Sequence, residues 1–150
     1  MSFLAFGINH KTATVAIREQ VAFDLQRLDE ALKALTQVSG VGEAVILSTC
    51  NRTEIYCSGE SLQIELLLGW LAGYHQADLQ SITSCSFSYQ GADAIAHVMR
   101  VASGLDSLVL GEPQILGQLK SAYTSALEAK TVHGRLGRLF EHSFSVAKRV

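Results

Sequence analysis

The chain has 150 residues, 48% of them hydrophobic and only 17% charged, with 12 Lys and Arg against 14 Asp and Glu for a formal net charge of −2. That length suits one domain with a buried core, and a pI of about 6.2 with mean hydropathy +0.22 excludes a general polyanion binder, leaving any nucleic-acid contact local. Charge falls below the roughly one quarter usual in soluble domains, so part of the surface is expected to be covered by a neighbouring domain, a partner or a substrate.

Phe3 to Ile8 reads as a short buried strand, closed by the polar run Asn9-His10-Lys11-Thr12. The opening Met-Ser-Phe-Leu lacks the basic and apolar regions of a secretory signal, so none is expected. Asp24 is a candidate N-cap for a helix whose apolar stripe is Leu25, Leu28, Leu32 and Leu35, with Ser39-Gly40 at its end. Val45-Ile46-Leu47 begins a second strand, and Thr53 to Tyr56 forms a third. A second helix is expected from Leu62 to Tyr74, with Leu66, Leu67, Trp70, Leu71 and Tyr74 facing inward. Gln63, Glu65, Gly69 and Gly73 interrupt it. It therefore falls short of the ~20 apolar residues that a membrane span needs, and no membrane association is expected. Phe87 to Tyr89 makes a short fourth strand. The order β-α-β-β-α-β is that of a ferredoxin-like split βαβ unit.

Beyond Gln90 the pattern is helical. Ile95, Val98, Met99 and Ala102 make one stripe, which Gly104 terminates. Pro113 suits the first position of a new helix with the stripe Ile115, Leu116, Leu119, Tyr123, Ala126 and Leu127. Leu136, Leu139, Phe140, Ser143 and Ala147 mark a last helix, still in phase at Val150 and uncapped, so it is expected to be truncated there. The expected fold is therefore α+β: a ferredoxin-like βαββαβ unit over about residues 1–90, then a helical part over about 91–150.

Three cysteines, Cys50, Cys57 and Cys85, without a Cys-x-x-Cys pair point to reduced thiols in a cytoplasmic protein. Cys50 lies in Ser48-Thr49-Cys50-Asn51-Arg52-Thr53-Glu54, directly after an apolar strand run. An extended backbone would put Cys50 and Arg52 on one face, where a guanidinium favours a thiolate or grips a substrate carboxylate. A buried core cysteine is the plain alternative, but the polar neighbours favour the functional reading. Cys57, in a strand, and Cys85, in a Ser/Thr-rich loop or strand edge, read as structural.

His97 lies off the stripe of its helix, on a second face with Ala94 and Val101. A packed histidine is the ordinary reading there, and a functional one requires that face to meet the strand end near Cys50. His10, His75, His133 and His142 show no ligand spacing, so no metal is expected. The segment from Gly104 to Gln114 offers helix N-terminal amides beside Ser107, Glu112 and Gln114, and reads equally as an anion site or a plain connection. Gly40-Val41-Gly42 precedes a strand instead of following one, so it is no dinucleotide fingerprint. No nicotinamide site is visible.

Three stretches resemble the glutamyl-tRNA reductases: Gly7 to Ala13, Leu47 to Glu54, and the long run from Met99 to Gln118. The resemblance extends in order over most of the chain, with 58–91 the least distinctive part. It implies an NADPH-dependent oxidoreductase that opens tetrapyrrole (haem and chlorophyll) synthesis by reducing tRNA-bound glutamate to glutamate-1-semialdehyde. It also implies that this chain is the N-terminal catalytic domain, with NADPH held by a domain absent here. By position, Cys50 would be the nucleophile that converts the glutamyl ester to a thioester. Thr49, Arg52, Ser107, Glu112, Gln114 and Gln118 match positions that hold the substrate's glutamyl group, Asn51 and Pro113 lie in the same motifs, and His97 matches a catalytic histidine near the thiol that would assist proton transfer or position the ester. The expected partners are glutamyl-tRNA, a second copy in a homodimer of the longer protein, and the aminotransferase that consumes the semialdehyde. The competing expectation is a glutamyl-tRNA recognition module in which Cys50 does no chemistry.

Overall fold

The computed structural model describes residues 2–106 and 114–149. In chain order the elements are β1 (Ser2–Asn9), α1 (Val15–Gln20), α2 (Leu28–Leu35), β2 (Val41–Ser48), β3 (Arg52–Gly59), α3 (Ile64–Tyr74), α4 (Leu79–Cys85), β4 (Phe87–Gln90), α5 (Ala92–Ala102), α6 (Ile115–Glu128) and α7 (Gly134–Ala147). The four strands form one antiparallel sheet in the order β2-β3-β1-β4. That order is the split βαβ arrangement expected from the strand and helix sequence.

β3 is central, and every one of its residues is buried. Alternation turns Arg52, Glu54, Tyr56 and Ser58 to one face of the sheet. There Tyr56 meets Phe140 of α7 edge-on at 5.6 Å, and Glu54 bonds His97 of α5. The helices that follow the ferredoxin-like unit thus cover a sheet face that would otherwise be wet, and both faces of β3 become core. Gly7 of β1 faces Glu54 in the register and has φ +152°. A Cβ there would lie 2.1 Å from the Thr53 carbonyl oxygen, so the close approach of β1 to β3 requires glycine.

Edge strand β2 is closed by the chain entering α7. Ala44 N–H donates to the Thr131 carbonyl (2.8 Å), and Thr131 Oγ1 donates back to the Ala44 carbonyl (2.9 Å). Beside them Glu43, nearly fully buried, accepts from Ser58 Oγ at 2.6 Å, from Leu136 N–H at 3.0 Å and from His133 N–H. A carboxylate at the first turn of a helix satisfies amides that have no intrahelical partner. Here it also fastens α7 to the sheet.

Several expectations are corrected. Leu66 and Tyr74 are 44% and 40% exposed, because α3 buries Leu67, Leu68, Leu71 and Ala72 instead. Leu is so frequent in α3 that the sequence period does not fix which stripe faces inward. Leu25 and Leu127 are also exposed. Cys85 closes helix α4, whose seven residues are too few to display a period but which Asp78 caps by accepting from Ser81 N–H. α5 buries Ala94, His97, Val98, Val101 and Ala102, so His97 belongs to its core face. The helix is packed against both β1 and α7, which widens its buried arc. It ends as expected at Gly104 (φ +75°): Gly104 N–H bonds Val101 O and Leu105 N–H bonds Arg100 O, a Schellman closure. Pro113, expected at the start of the next helix, lies outside the described residues, as do Ser107 and Glu112.

Candidate active site

The C-terminal ends of β1 and β2 and the start of β3 lie together at one end of the sheet, where Asn9 pairs with Arg52 and Ser48 with Thr53. Between β2 and β3 the chain reverses tightly. Thr49 N–H donates to the Arg52 carbonyl at 2.8 Å, and Asn51 N–H donates to Thr49 Oγ1 at 3.1 Å. Cys50 sits at the tip of this reversal and is exposed, while Thr49 and Asn51 are half-buried. The expected extended backbone is therefore corrected, since a reversal carries Cys50 out to solvent and Arg52 into the core. Cys50 is the accessible thiol. Burial pushes the Cys57 thiol up to about 12, and burial also raises that of Cys85, which donates to the Ser81 carbonyl at 3.2 Å.

Beneath this tip lies a buried charge network. Arg52 Nη1 donates to Glu54 Oε2 at 2.6 Å and to Asp106 Oδ2 at 2.9 Å. Glu54 Oε1 accepts from the Tyr56 hydroxyl at 2.9 Å and lies 2.6 Å from His97 Nε2. The His97 ring stacks on Tyr89 at 4.7 Å and leans on Phe87 at 5.1 Å. Its Nδ1 has no partner among the described residues. Lys11 approaches Asp106 Oδ1 at 3.8 Å from the solvent side. Desolvation alone would raise the Asp106 carboxyl. The Arg52 hydrogen bond and the charges of His97, Arg52 and Lys11 outweigh it, and hold Asp106 below the usual carboxylate range. Desolvation by burial, with the negative Glu54 beside it, drives the Tyr56 hydroxyl far above its ordinary value, so it stays protonated and acts as a donor.

His97 thus meets Glu54 of the third strand rather than the end of the second. Glu54 and Asp106, absent from the expected site, hold the network together. Glu54 carried a signal in its period, two residues beyond Arg52 on the same strand face. Asp106 carried none, because its role depends on the turn at Gly104 that brings it to Arg52. Glu54, His97 and Asp106 do gather within metal-binding distance of one another. The Arg52 guanidinium already stands between the two carboxylates and supplies the positive charge there.

Gln114 and Gln118 lie elsewhere, in a cavity of about 630 Å³ between α6, β2 and the start of α2, whose lining includes Ser48 but neither Cys50 nor Arg52. Among the described residues, no helix is long and apolar enough to cross a membrane.

Over residues 6–150 the chain matches the family model described as "Glutamyl-tRNAGlu reductase, N-terminal domain". It is 57% identical over its whole length to a glutamyl-tRNA reductase of Idiomarina loihiensis, covering 35% of that relative. It is 55% identical to one of Nitrosococcus oceani, covering 36%. Its fold is similar to that of glutamyl-tRNA reductase from Methanopyrus kandleri, with a TM-score of 0.77 and 33% identity over 98% of this chain and 33% of that one. The chain therefore spans about a third of the length of the relatives it matches.

Proposed function

The chain belongs to the glutamyl-tRNA reductase family, matching its N-terminal domain, and on that premise we propose that it carries out the acyl-transfer half of the reaction on glutamyl-tRNA. The observation that carries this reading is the placement of Cys50. It is an exposed thiol at the tip of a hydrogen-bonded reversal, two residues before Arg52, whose side chain enters a buried charge network.

The Cys50 thiolate attacks the carbonyl carbon of the ester that joins glutamate to the terminal ribose. An S–C bond forms and the C–O bond to the ribose breaks. The thiol's proton passes to water as the thiolate forms, the departing ribose oxygen takes one up from water to leave as the free tRNA hydroxyl, and the glutamyl group stays on sulfur as a thioester, more open to attack by hydride than the ester was. Thr49 and Asn51 set the shape of the tip that presents the thiol. Arg52 is sealed from solvent, so the glutamyl carboxylate reaches it by replacing Asp106, the partly exposed carboxylate of the same chemical kind that it binds at rest. His97 is a positioning residue, its ring fixed by Glu54 and Tyr89 with Nδ1 left as its remaining polar atom. Gln114 and Gln118, with Ser107, Glu112 and Pro113, complete the substrate-binding set.

NADPH-dependent reduction of the thioester to glutamate-1-semialdehyde is proposed for the longer protein. NADPH supplies hydride there. The residues described here do not fit a dinucleotide, because the sheet is antiparallel and no glycine-rich turn leads from a strand into a helix. This chain's part accordingly ends at the thioester. A homodimer, contact with the aminotransferase that takes up the semialdehyde, and a place in the cytoplasm are likewise proposed for that longer protein.

The test is to mix the chain with glutamyl-tRNA carrying labelled glutamate, quench in acid and locate the label by peptide mass spectrometry. Label on Cys50, lost in Cys50→Ser, is the expected result. Bound tRNA without label would reduce the chain to a recognition module.

A further inference from the structure

The charges of this chain are unevenly placed. From residue 130 to 149 there are five Lys and Arg against one acid, Glu141, a local charge of +4 in a chain whose net charge is −2. An asymmetry of this kind suits an anionic partner. Within this stretch Arg135, Arg138 and His142 stand at i, i+3 and i+7 of α7, so they share one helix face. All three are exposed, and they border an open cleft whose apolar floor is made by Phe3 of β1, Ile95 and Met99 of α5, and Leu139.

Glu141 is not among the residues that line the cleft. Among the described residues neither arginine has a carboxylate within salt-bridge range, and the ion pairs of the chain engage other groups. Like charges one turn apart destabilise a helix, so the stability of α7 does not account for this pair.

We propose that the cleft on α7 binds the phosphate backbone of the tRNA acceptor stem. The inference rests on the reading of glutamyl-tRNA as the substrate. The position of the cleft in the fold sets its reach. Phe3 pairs with Ser58, whereas Asn9 pairs with Arg52 beside the Cys50 reversal. The cleft therefore lies about six strand residues, or ~20 Å, from the end of the sheet that carries the thiol. At about 3.4 Å per stacked nucleotide, that is the length of about six nucleotides. It leads from the acylated ribose along the unpaired 3′ end and into the paired stem. Each guanidinium presents a fork that fits two phosphate oxygens. His142 adds a ring N–H, and the apolar floor suits the carbon face of a ribose between phosphates. Contacts of this kind position a paired RNA without reading its sequence.

The test needs no acyl transfer. Binding of uncharged tRNA, and of a hairpin made of its acceptor stem and unpaired 3′ end, is measured by filter retention over a range of salt. The proteins are the wild type, the double variant Arg135→Gln with Arg138→Gln, and the double variant Arg135→Lys with Arg138→Lys. Both positions are exposed, so the variants should fold, and circular dichroism checks this. The glutamine variant should bind both RNAs at least ~10-fold more weakly, with a salt slope lower by about 2, roughly one for each lost phosphate contact. The lysine variant keeps the charge but not the fork, so it should keep the slope and lose less affinity. No retention of the hairpin by the wild type, or an unchanged slope in the glutamine variant, would overturn the inference. A lysine variant as weak as the glutamine one would assign the arginines to packing and overturn it too. Label on Cys50 from glutamyl-tRNA, with binding unchanged in the glutamine variant, overturns this inference alone. Hairpin binding that needs both arginines, without label on Cys50, upholds it while the acyl-transfer reading falls.

Discussion

His97 Nε2 lies 2.6 Å from Glu54 Oε1, with both side chains sealed from solvent and 43 residues apart in sequence. The same carboxylate holds Arg52 and Tyr56, so one residue of β3 ties the sheet to α5 and, through Arg52, to Asp106.

Glu54→Gln should therefore be among the most damaging substitutions in the chain. It removes the charge that balances a fully buried guanidinium and weakens three hydrogen bonds at once. Breaking a buried ion pair from one side costs about 3–5 kcal/mol. Denaturant unfolding should show a loss of that order, and a loss below 1 kcal/mol would mean that Asp106 alone suffices for Arg52.

Thiol reactivity should separate the cysteines in order. Near neutral pH, iodoacetamide should modify Cys50 first and Cys85 slowly. Cys57, fully buried with its thiol held at about 12, should react only on unfolding. Mass spectrometry of the time course reads this directly, and early modification of Cys57 would contradict the burial of β3.

How much of this was open to reading beforehand differs between the elements and the site. The strands and the split βαβ order followed from short apolar runs bounded by polar residues, and Gly104 ended α5 where its position implied. Periodicity failed in α3, where leucines stand at consecutive positions and any of several stripes looks inward. The Cys50 motif was legible as a polar cluster at a strand end. The reversal that separates Cys50 from Arg52 was not, because it depends on the pairing of Thr49 with Arg52 across the turn. His97 looked peripheral since its helix is packed on two sides, and a sequence period describes one.

Gly7→Ala should disrupt the centre of the sheet. The added methyl meets the Thr53 carbonyl at 2.1 Å, and the φ of +152° is itself strained for alanine. The backbone conformation alone costs about 1–3 kcal/mol, and the clash with main-chain atoms adds to it. Thermal unfolding should show a lowered midpoint or no folded protein. Gly69→Ala, where a Cβ meets nothing within 4 Å, is the control and should not destabilise.

Acid should act partly through Asp106. Its folded pKa lies below the ordinary 3.8, so its contribution is present above that value and is lost as pH falls through the lower, folded one. From about pH 4 downward, the wild type should thus lose more stability than Asp106→Asn, which has no carboxylate to protonate. Melting temperatures of the two proteins across that window should converge, and parallel curves would show that Asp106 is not preferentially stabilised in its charged form.

The closure of β2 by Thr131 bears on a different matter, the behaviour of the chain among its own copies. An open sheet edge is a template on which another strand can add, and a sequence so rich in apolar residues and poor in charge has little else to repel it. Here Ala44 has spent both backbone groups on Thr131, and Glu43 clamps the helix that follows. The opposite edge, β4, is only four residues long. A carboxylate and a threonine hydroxyl at one end of α7 therefore guard the molecule against aggregation.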